Sequence, residues 1–476
     1  MTFTSVEFIA FLTLVAVVYW VAPQRARPAF LLLASYVFYA FLDWRFVPLV
    51  VVLTLATWFL GPLIKKATGT ARTVLAGVSV ALPTGTLLAF ELASVLGATG
   101  TTGGFAVGFG SIAESAVVPV GLAFYGFQMI SYTIDIYRDE LEPERSLVLY
   151  ATYVAFFPHL LAGPVVRARR LVPQLASSPA KPNATWIAQG VELIFLGIFK
   201  KVAVADPLLR LASEQGLVGP TTSTPTMILV LMVSLIGAFM DIAGYIDIAR
   251  GAARILGVDM PPNFAQPLTR SRNWTEFWRR WQITVMGWFR DYVFLPIRGK
   301  GREGRRDVLA LLGTFLAAGI WHGVTLGWLI WSLLTAGILI AEQRYRRHRA
   351  AVRKATGAPR HRLPAPVRAV VGPLYVFVCL LATAPWAAGT SFSTTFDIYN
   401  RILFGGFGGI DYNVGVFAVY AVATLLLTDQ YERHRARVTD PFGVITWRRS
   451  FAYGAMVVAL IVFSGSAPQP FVYFQF

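Results

Sequence analysis

The sequence predicts an all-α, polytopic integral membrane protein, and three observations lead to that prediction. Hydrophobic residues make up 56% of the 476 residues and charged residues only 14%, whereas a soluble domain is about 25% charged. The mean hydropathy is +0.58. Apolar runs recur along the whole length, and several approach the roughly 20 residues that a helix needs to span a bilayer. Two or three soluble domains of the same total length would not repeat such runs.

The apolar runs mark the predicted helices in order along the chain. They are Phe8 to Ala22, Phe46 to Ile64, Val74 to Leu96, Trp186 to Phe199, Met227 to Phe239, Val308 to Ile320, Leu326 to Ala341, Val367 to Trp386, Val414 to Leu427 and Phe451 to Phe463. Shorter runs would be tilted, buried in the bundle or re-entrant, so we expect about eleven to thirteen transmembrane or re-entrant helices. Only short hydrophilic stretches separate the runs, so residues 1–476 are expected to form a single membrane domain, with its core motifs at 120–342.

The first run is predicted to be a retained helix rather than a secretory signal peptide. Glu7 is the only charged residue before Arg25, so no basic segment precedes the run. No small-residue cleavage pattern follows it either. The run is therefore expected to be the first membrane helix of the bundle.

The net charge of +17, from 42 basic and 25 acidic residues, indicates basic cytoplasmic loops and not nucleic-acid binding, because the basic residues lie between apolar runs. The loops predicted to be cytoplasmic contain Arg25 and Arg27, then Lys65, Lys66 and Arg72, then Arg138 and Arg145, then Arg344 to Arg362, and finally Arg433 to Arg449. The segment from Thr99 to Ser115 has no lysine or arginine and is predicted to lie outside. This pattern puts the N-terminus on the extracytoplasmic side.

The single cysteine, Cys379, lies in an apolar run. One cysteine can form neither a disulfide within the chain nor a cysteine metal site, so Cys379 is expected to be a small core residue. The Gly-rich stretch from Gly97 to Gly110 lacks a Walker lysine, which argues against a phosphate-binding loop. No metal site is predicted.

Polar side chains inside apolar segments are the candidate functional residues, because an ionisable group at membrane depth costs a few kcal/mol. In YGFQMISYTIDIYR, the residues Gln128, Tyr132 and Asp135 recur every three or four positions and form one polar stripe. The stripe is either a hydrogen-bonded seam between helices or part of a site. In FFPHLLAGPVVR, His159 stands among two prolines and a glycine that break the helix. Such backbone is tolerated at depth where it is buried or lines a cavity, and His159 is either structural or functional.

A second polar group occurs in MDIAGYIDI, residues 240–248. Asp241 and Tyr245 share a helix face at a spacing of four residues. In a straight helix Asp247 lies on a different face from Asp241 and Tyr245, although a kink at Gly244 would bring it toward their face. Two carboxylates beside a tyrosine in an apolar run predict a polar cavity rather than a lipid-facing surface.

The Trp-rich segment WTEFWRRWQITVMGWFRDYVFLP, from Trp274 to Pro296, is predicted to be an interfacial or re-entrant amphipathic helix. One face would carry Trp274, Trp278, Trp281, Val285 and Trp288, with Gln282 at its edge, and the other side Glu276, Arg279, Arg280 and Arg290. Viewed alone, a helix of this composition is typical of a membrane-surface anchor.

The motif IWHGV places His322 near the middle of the apolar stretch from Val308 to Ala341. Basic clusters flank the stretch on both sides, so its two runs are predicted to form a hairpin with both ends in the cytoplasm. His322 would then lie about fifteen residues, or roughly 22 Å, from the inner surface. An imidazole can take a proton near neutral pH, which suits a general base for a hydroxyl nucleophile. From the residues alone, His322 is either such a base or a hydrogen-bonded structural histidine.

Taken in order, these segments resemble the AlgI- and DltB-like bacterial branch of the membrane-bound O-acyltransferase (MBOAT) family. The matching segments are LLLASYVFYAFLDWRF, VGLAFYGFQMISYTIDIYR, YVAFFPHLLAGPVVR, DIAGYIDIARGAARILGVDMPPNFAQPL, WTEFWRRWQITVMGWFRDYVFLPI, GIWHGV and the final FVYFQF. The resemblance covers nearly the whole chain. The Trp-rich and histidine motifs in series are its most specific part.

The resemblance implies membrane helices around a thin centre, with a funnel in which acyl donor and acceptor meet from opposite sides. His322 matches the family's catalytic histidine, which implies that it takes the proton of the attacking hydroxyl. The family's WRRWH motif differs here, because Gln282 replaces its second histidine. Gln282 would orient the acyl carbonyl or stabilise oxyanion charge, or else the enzyme is degenerate. Other residues expected to bind substrate or line the tunnel are Gln128, His159, Asp241, Tyr245, Asp247, Trp278, Trp281, Arg290 and Asp291.

The expected function is O-acylation, with acetyl the expected group, of an extracytoplasmic polysaccharide or cell-envelope glycan, or of a partner protein. The resemblance implies a cytoplasmic thioester donor, acetyl-CoA or an acyl carrier protein, with no bound cofactor or metal. It also implies a multi-pass protein of the bacterial cytoplasmic (inner) membrane and an extracytoplasmic SGNH-type partner. The alternatives are a transporter or flippase of a lipid-linked or acylated intermediate, and a non-catalytic membrane scaffold.

Overall fold

The fold is helical throughout the part of the chain that the computed structural model describes. That part consists of residues 1–98, 119–177, 179–214, 223–265, 267–299, 305–357, 364–387, 392–435 and 446–464, together with 469 and 471. No β-strand occurs within these ranges, which confirms the all-α prediction. The predicted external segment Thr99 to Ser115 and most of the final FVYFQF lie outside the described residues.

Six helical stretches within those ranges are long and apolar enough to cross a membrane: Gln24–Lys66, Gly69–Val95, Thr224–Ile255, Leu326–Thr356, Pro366–Ala387 and Tyr412–Arg435. The first of them contains two helices in series, and Val6–Val21 is an apolar helix of lesser length. The chain is therefore a multi-pass membrane protein. The expectation of about eleven to thirteen transmembrane or re-entrant helices also counted shorter elements, and that number stays a prediction.

The helices of the first half of the chain pack against one another through aromatic and hydroxyl side chains. In order they are α1 (Val6–Val21), α2 (Arg27–Asp43), α3 (Val47–Lys66), α4 (Gly69–Ala98), α5 (Leu122–Tyr137), α6 (Leu147–Ala155), α7 (Phe157–Leu160) and α8 (Ala168–Ala176). α5 packs against α3 and α4, and α6 packs against α2 and α3. Buried hydroxyls join α3 to α6, since Thr57 Oγ1 lies 2.8 Å from Tyr150 Oη. These contacts hold α5, which carries the predicted polar stripe, inside the bundle.

The second half adds one long central helix and the elements around it. In order they are α9 (Ala184–Ile198), α10 (Asp206–Glu214), α11 (Thr224–Ile255), α12 (Trp274–Trp278), α13 (Ile283–Phe289), α14 (Leu295–Arg298), α15 (Arg305–His322), α16 (Leu326–Thr356), α17 (Ala365–Ala387), α18 (Phe392–Phe404), α19 (Tyr412–Arg435) and α20 (Trp447–Phe463). π-helical segments at Phe199–Ala205 and Arg290–Phe294 follow α9 and α13. α19 and α20 are tied to α9 through buried Glu192, which accepts hydrogen bonds from Tyr431 Oη at 2.8 Å and Tyr453 Oη at 3.0 Å.

Two pairs of glycines let α9 and α11 approach with their backbones almost touching. A Cβ on Gly190 would lie 2.8 Å from the carbonyl oxygen of Gly251, and one on Gly197 would lie 2.5 Å from that of Gly244. No side chain fits such gaps, so glycine is needed at this seam. α11 is one continuous helix from Thr224 to Ile255, so the kink considered at Gly244 is absent. The glycine serves close packing instead.

Candidate active site

His322 ends α15, at the tip of the hairpin that the sequence predicts. α15 packs against α16, and the Thr325 side chain caps α16 by accepting from the Trp328 backbone N–H. The imidazole is partly buried and stacks on the Trp328 ring, with centroids 4.3 Å apart and planes 9° apart. Trp321 and Trp331 lie edge-on to it, at 4.5 Å and 5.7 Å. Three tryptophans therefore fix the plane of the ring while part of its surface stays accessible.

An aromatic wall from α5 and α13 closes the site behind Trp321. Phe127 stacks on Trp321 with ring centroids 5.1 Å apart, and Phe124 meets its edge at 5.7 Å. Trp288 of α13 packs on Phe127 at 4.2 Å and donates its indole N–H to the carbonyl oxygen of Phe127 at 2.9 Å. The motif segments from three distant parts of the chain thus meet around His322.

Glu91 of α4 lies near Gly323, the residue that follows His322, and sequence analysis missed it. This side chain is 7% exposed, and its Oε2 lies 3.6 Å from the point where a Cβ on Gly323 would stand. The same point is 3.1 Å from the Trp328 ring. The sequence does indicate this residue, because Glu91 is the sole charged residue in the apolar run Val74 to Leu96. A carboxylate at membrane depth is costly and is typical of a functional site.

The Trp-rich segment is not one amphipathic helix, and this part of the prediction was wrong. It forms α12 and α13 with a break between them, where Gln282 adopts the left-handed conformation with φ of 47°. The cause is a contact made from outside the segment: the Ile283 N–H donates to the Asn263 carbonyl at 2.8 Å, and the Ala265 N–H donates to the Arg280 carbonyl at 2.9 Å. These bonds replace helical ones, so the helix stops.

The tryptophans of this segment pack against the protein core, two of them buried and Trp278 and Trp281 partly buried, which contradicts the interpretation as a surface anchor. Trp274 is 1% exposed and Trp288 6% exposed. Trp278 reaches the hairpin, with its ring centroid 5.9 Å from Trp331, and Trp331 in turn contacts His322. Trp281 packs between Phe264 and Phe277. The Trp-rich and histidine motifs therefore join in a single aromatic cluster.

Gln282 is 4% exposed, and its side chain is held by buried Asn263. Asn263 also accepts from Thr284 through the backbone N–H at 3.0 Å and the hydroxyl at 2.6 Å. Thr284 Oγ1 accepts the Val165 N–H at 3.1 Å, so the broken segment after His159 is anchored beside Gln282. Sequence analysis missed Asn263, although an asparagine just after two prolines in PPNF was a visible signal.

Gln128 and His159, predicted separately, form one buried pair. Gln128 Nε2 lies 2.5 Å from His159 Nε2, and both residues are 1% exposed. The rest of the polar stripe is bonded too: Asp135 accepts from Tyr292 Oη at 2.6 Å, and Tyr132 Oη accepts the Glu144 N–H at 2.9 Å. The stripe therefore forms a hydrogen-bonded seam, and the alternative, a part in the site, stays a prediction. A substrate contact by either residue stays a prediction.

Asp241 and Asp247 form buried ion pairs with two adjacent lysines. Lys201 Nζ lies 2.6 Å from Asp241 and 2.7 Å from Asp206, and Lys200 Nζ lies 2.6 Å from Asp247. The π-helical turn carries both lysines toward α11. The lysines were missed, because the sequence alone does not reveal that turn.

Tyr245 lies between the two ends of the chain. Its ring stacks on Phe3 at 4.4 Å and on Phe471 at 4.2 Å. This stack and the ion pairs of α11 hold the bundle together, and the tunnel-lining role expected for these residues stays a prediction.

Arg290 and Asp291 lie in the π-helical turn that follows α13, and a substrate contact by either residue stays a prediction. Arg290 Nε donates to Asp291 at 2.7 Å, and Arg167 also forms an ion pair with Asp291. Partial burial acts to raise the pKa of the Asp291 carboxyl, but the hydrogen bonds from Arg290 and Arg167 outweigh it and hold that pKa below its ordinary value. Asp291 is therefore a charged partner that anchors the π-helical turn to the segment after α7.

An open cleft of about 520 Å³ adjoins the Gln282 break. Its lining residues are Ala265, Asn273, Thr275, Glu276, Arg279, Arg280 and Arg346. Arg280 donates to Glu276 at 2.6 Å, and Arg346 donates to Thr275 Oγ1 at 2.6 Å. Three arginines against one carboxylate make the cleft basic. Within the described part of the chain, no group of three histidine, cysteine or acidic side chains could hold a metal ion.

Comparison with known proteins agrees with this architecture. A family model for "MBOAT, membrane-bound O-acyltransferase family" matches residues 138–377. The chain is 29% identical to the probable alginate O-acetylase AlgI of Azotobacter vinelandii, over 100% of both chains. It is 33% identical to the probable alginate O-acetylase AlgI of Pseudomonas putida over 70% of this chain and 68% of that one. It is 29% identical to the peptidoglycan O-acetyltransferase of Helicobacter pylori over 66% of this chain and 64% of that one.

The matched region contains the Gln282 break, the His322 hairpin and the basic cleft, which is where the structure gathers the candidate site. The sequence resemblance and the helical fold thus lead to one conclusion. The chain belongs to the membrane-bound O-acyltransferase family and is a membrane O-acyltransferase similar to the alginate O-acetylases.

Proposed function

We propose that this enzyme transfers an acetyl group from a cytoplasmic thioester to a hydroxyl of an extracytoplasmic polysaccharide or other cell-envelope glycan. The observation that carries the proposal is the partly buried His322 imidazole, held in one plane by three tryptophans at the tip of a membrane hairpin. The names of the relatives support the substrates, since they specify O-acetylation of alginate and of peptidoglycan.

The chemistry needs one base and one hydrogen-bond donor. The acceptor hydroxyl attacks the thioester carbonyl carbon while His322 takes the hydroxyl proton. The new C–O bond leaves a tetrahedral intermediate with negative charge on the former carbonyl oxygen, and an N–H of Gln282 stabilises that charge. The intermediate collapses, the C–S bond breaks, and the thiolate takes the proton from the His322 imidazolium. The products are the ester and the free thiol, and no metal takes part in this proposal.

The basic cleft supports entry of the donor from the cytoplasm. Arg346 lies in the basic cluster at the end of α16, and the positive-inside rule places such clusters in the cytoplasm. Acetyl-CoA and the phosphopantetheine arm of an acyl carrier protein both carry phosphate, for which Arg279 and Arg346 are suitable partners. Ala265 and Arg280 line the cleft and also bond to each other where the chain leads into Gln282. A thioester bound here would be directed toward the candidate site.

The same rule supports a bacterial inner-membrane protein with its N-terminus outside. α3, α16 and α19 all end in basic residues, so we place those ends in the cytoplasm and the opposite ends outside. The acyl group would then leave on the extracytoplasmic side. We propose that an SGNH-type partner passes it to the glycan there.

The experiment is a comparison of ester-linked acyl groups in the cell envelope with and without this chain. Mild alkali releases the esters, and chromatography of the released acid identifies the acyl group. The proposal predicts that deletion removes acetate and that the wild-type chain restores it. An envelope whose ester content is unchanged by deletion would contradict the proposal. An Arg279→Ala/Arg346→Ala variant should raise KM for acetyl-CoA in membrane vesicles with little change in kcat.

A further inference from the structure

The hydrogen bonds around Asn263 determine which way the Gln282 amide faces. Thr284 donates its backbone N–H to Asn263 Oδ1 at 3.0 Å. A backbone N–H can only donate, so the atom that receives it must be the carbonyl oxygen of the Asn263 amide. The other side-chain atom of Asn263 is then Nδ2, and this atom contacts Gln282.

The same logic extends to Gln282. Asn263 Nδ2 has only hydrogens to offer, so the Gln282 atom that faces it must be the acceptor Oε1. The remaining Gln282 atom, Nε2, is therefore the donor of that side chain. Amide orientations are often ambiguous because oxygen and nitrogen look alike, but here a backbone N–H removes the ambiguity.

A second contact holds Asn263 Oδ1 in place. The Val165 N–H donates to Thr284 Oγ1 at 3.1 Å, so the hydroxyl hydrogen of Thr284 is directed to Asn263 Oδ1, 2.6 Å away. Asn263 and Gln282 are 1% and 4% exposed, so water does not compete strongly for these bonds. The Ile283 N–H also bonds to the Asn263 carbonyl, which fixes the backbone on both sides of Gln282.

We propose that Asn263 is a positioning residue that holds Gln282 with its amide N–H₂ as the donor toward the acyl carbonyl. This inference rests on the proposed function and deepens it. The relay Val165–Thr284–Asn263 requires residue 282 to accept a hydrogen bond from Asn263. A neutral histidine meets the same requirement, with one bare ring nitrogen toward Asn263 and one N–H toward the site. Glutamine at this position therefore preserves the donor and does not disable the enzyme.

The test reverses the direction of the hydrogen bond between residues 263 and 282, while the size and shape of residue 263 stay nearly the same. In Asn263→Asp, the carboxylate still accepts from Thr284 but offers Gln282 an acceptor, so the Gln282 amide turns its oxygen toward the site. Acyl transfer in membrane vesicles supplied with labelled acetyl-CoA should fall about 100-fold or more, as for loss of an oxyanion donor. Gln282→His should keep activity within about tenfold of wild type, because the polarity is preserved. Activities are compared at equal membrane abundance, because the buried carboxylate of Asn263→Asp lowers stability in its own right.

A double variant separates positioning from a merely structural role. In Asn263→Asp/Gln282→His, the aspartate accepts a hydrogen bond from the ring N–H that faces it. A neutral imidazole has only one N–H, so the nitrogen that faces the site can donate only when the imidazole is protonated. Activity of the double variant relative to Gln282→His should therefore rise as the pH falls from about 8 to about 6. A ratio that stays flat with pH, or an Asn263→Asp variant as active as wild type, would overturn the inference. If wild-type vesicles transfer no acetyl group at all, the proposed function fails and this inference fails with it.

Discussion

The His322 imidazole lies parallel to the Trp328 indole, with ring centroids 4.3 Å apart and an angle of 9° between the planes. Trp328 belongs to the first turn of α16, and Thr325 caps that turn. The hairpin tip thus supplies both the candidate base and the surface that orients it. The indole covers one face of the imidazole, so the two ring nitrogens lie at the edge of the stack.

Replacing the stacking partner should disturb the imidazole without removing it. Trp328→Ala is expected to lower acyl transfer about 10- to 100-fold, because the ring loses its orientation toward the hydroxyl. Trp328→Phe is the matched control and should lose less, since a smaller aromatic face remains. The measurement is ester-linked acyl content at equal membrane abundance. Equal activity of the alanine variant and wild type would show that the stack is not needed.

Glu91 is expected to assist His322 through its charge. The carboxylate lies beside the turn at Gly323, where it would stabilise the imidazolium that forms when His322 takes a proton. Glu91→Gln should therefore lower kcat by about tenfold, or about 1.4 kcal/mol, with KM for acetyl-CoA unchanged. Steady-state kinetics in vesicles give both values. A change confined to KM would mean that Glu91 acts in binding and not in proton transfer.

The glycine seam between α9 and α11 should not tolerate a methyl group. Gly244→Ala would put a Cβ 2.7 Å from the Gly197 carbonyl oxygen, so the free energy of unfolding should fall by about 1–3 kcal/mol. Gly337→Ala in α16 is the control, because nothing lies within 4 Å of its Cβ position, and there alanine should be neutral or stabilising by up to about 1 kcal/mol. Thermal melts in detergent compare the two. Similar melting temperatures for both variants would contradict the close approach.

Removing Lys201 should destabilise the bundle far more than removing a surface lysine. Lys201→Met leaves Asp241 and Asp206 without their cation, and these side chains are 0% and 4% exposed. Breaking a buried pair in this way costs about 3–5 kcal/mol. Lys65→Met is the control, because its partners Asp139 and Glu142 are 55% and 79% exposed, and exposed ion pairs contribute little to stability. Equal losses of stability in the two variants would argue against a buried ion pair.

Much of the helical framework follows from composition and periodicity. The apolar runs correspond to α3, α4, α11, α16, α17 and α19, because a bilayer demands long apolar helices whatever their packing. The hairpin around His322 was also predictable, since basic residues flank both of its helices. These features depend on residues close together in the chain.

The details of the site depend on contacts between residues far apart in the chain, which periodicity does not reveal. The helix break at Gln282 is made by Asn263, nineteen positions earlier, so the Trp-rich segment alone appeared to be continuous. The pairing of Gln128 with His159 likewise needs two helices to meet. The lysine pairs of Asp241 and Asp247 need a π-helical turn that propensities do not signal.

The most direct test of the central claim is the ester-linked acyl content of envelopes from a deletion strain rescued with His322→Ala. His348→Ala is the matched control, because that histidine is exposed on the basic C-terminal part of α16. If His322 is the base, wild type and His348→Ala restore the O-acyl group, whereas His322→Ala, present in the membrane at the same level, does not. Equal restoration by all three proteins would show that His322 is structural and that the catalytic account is wrong.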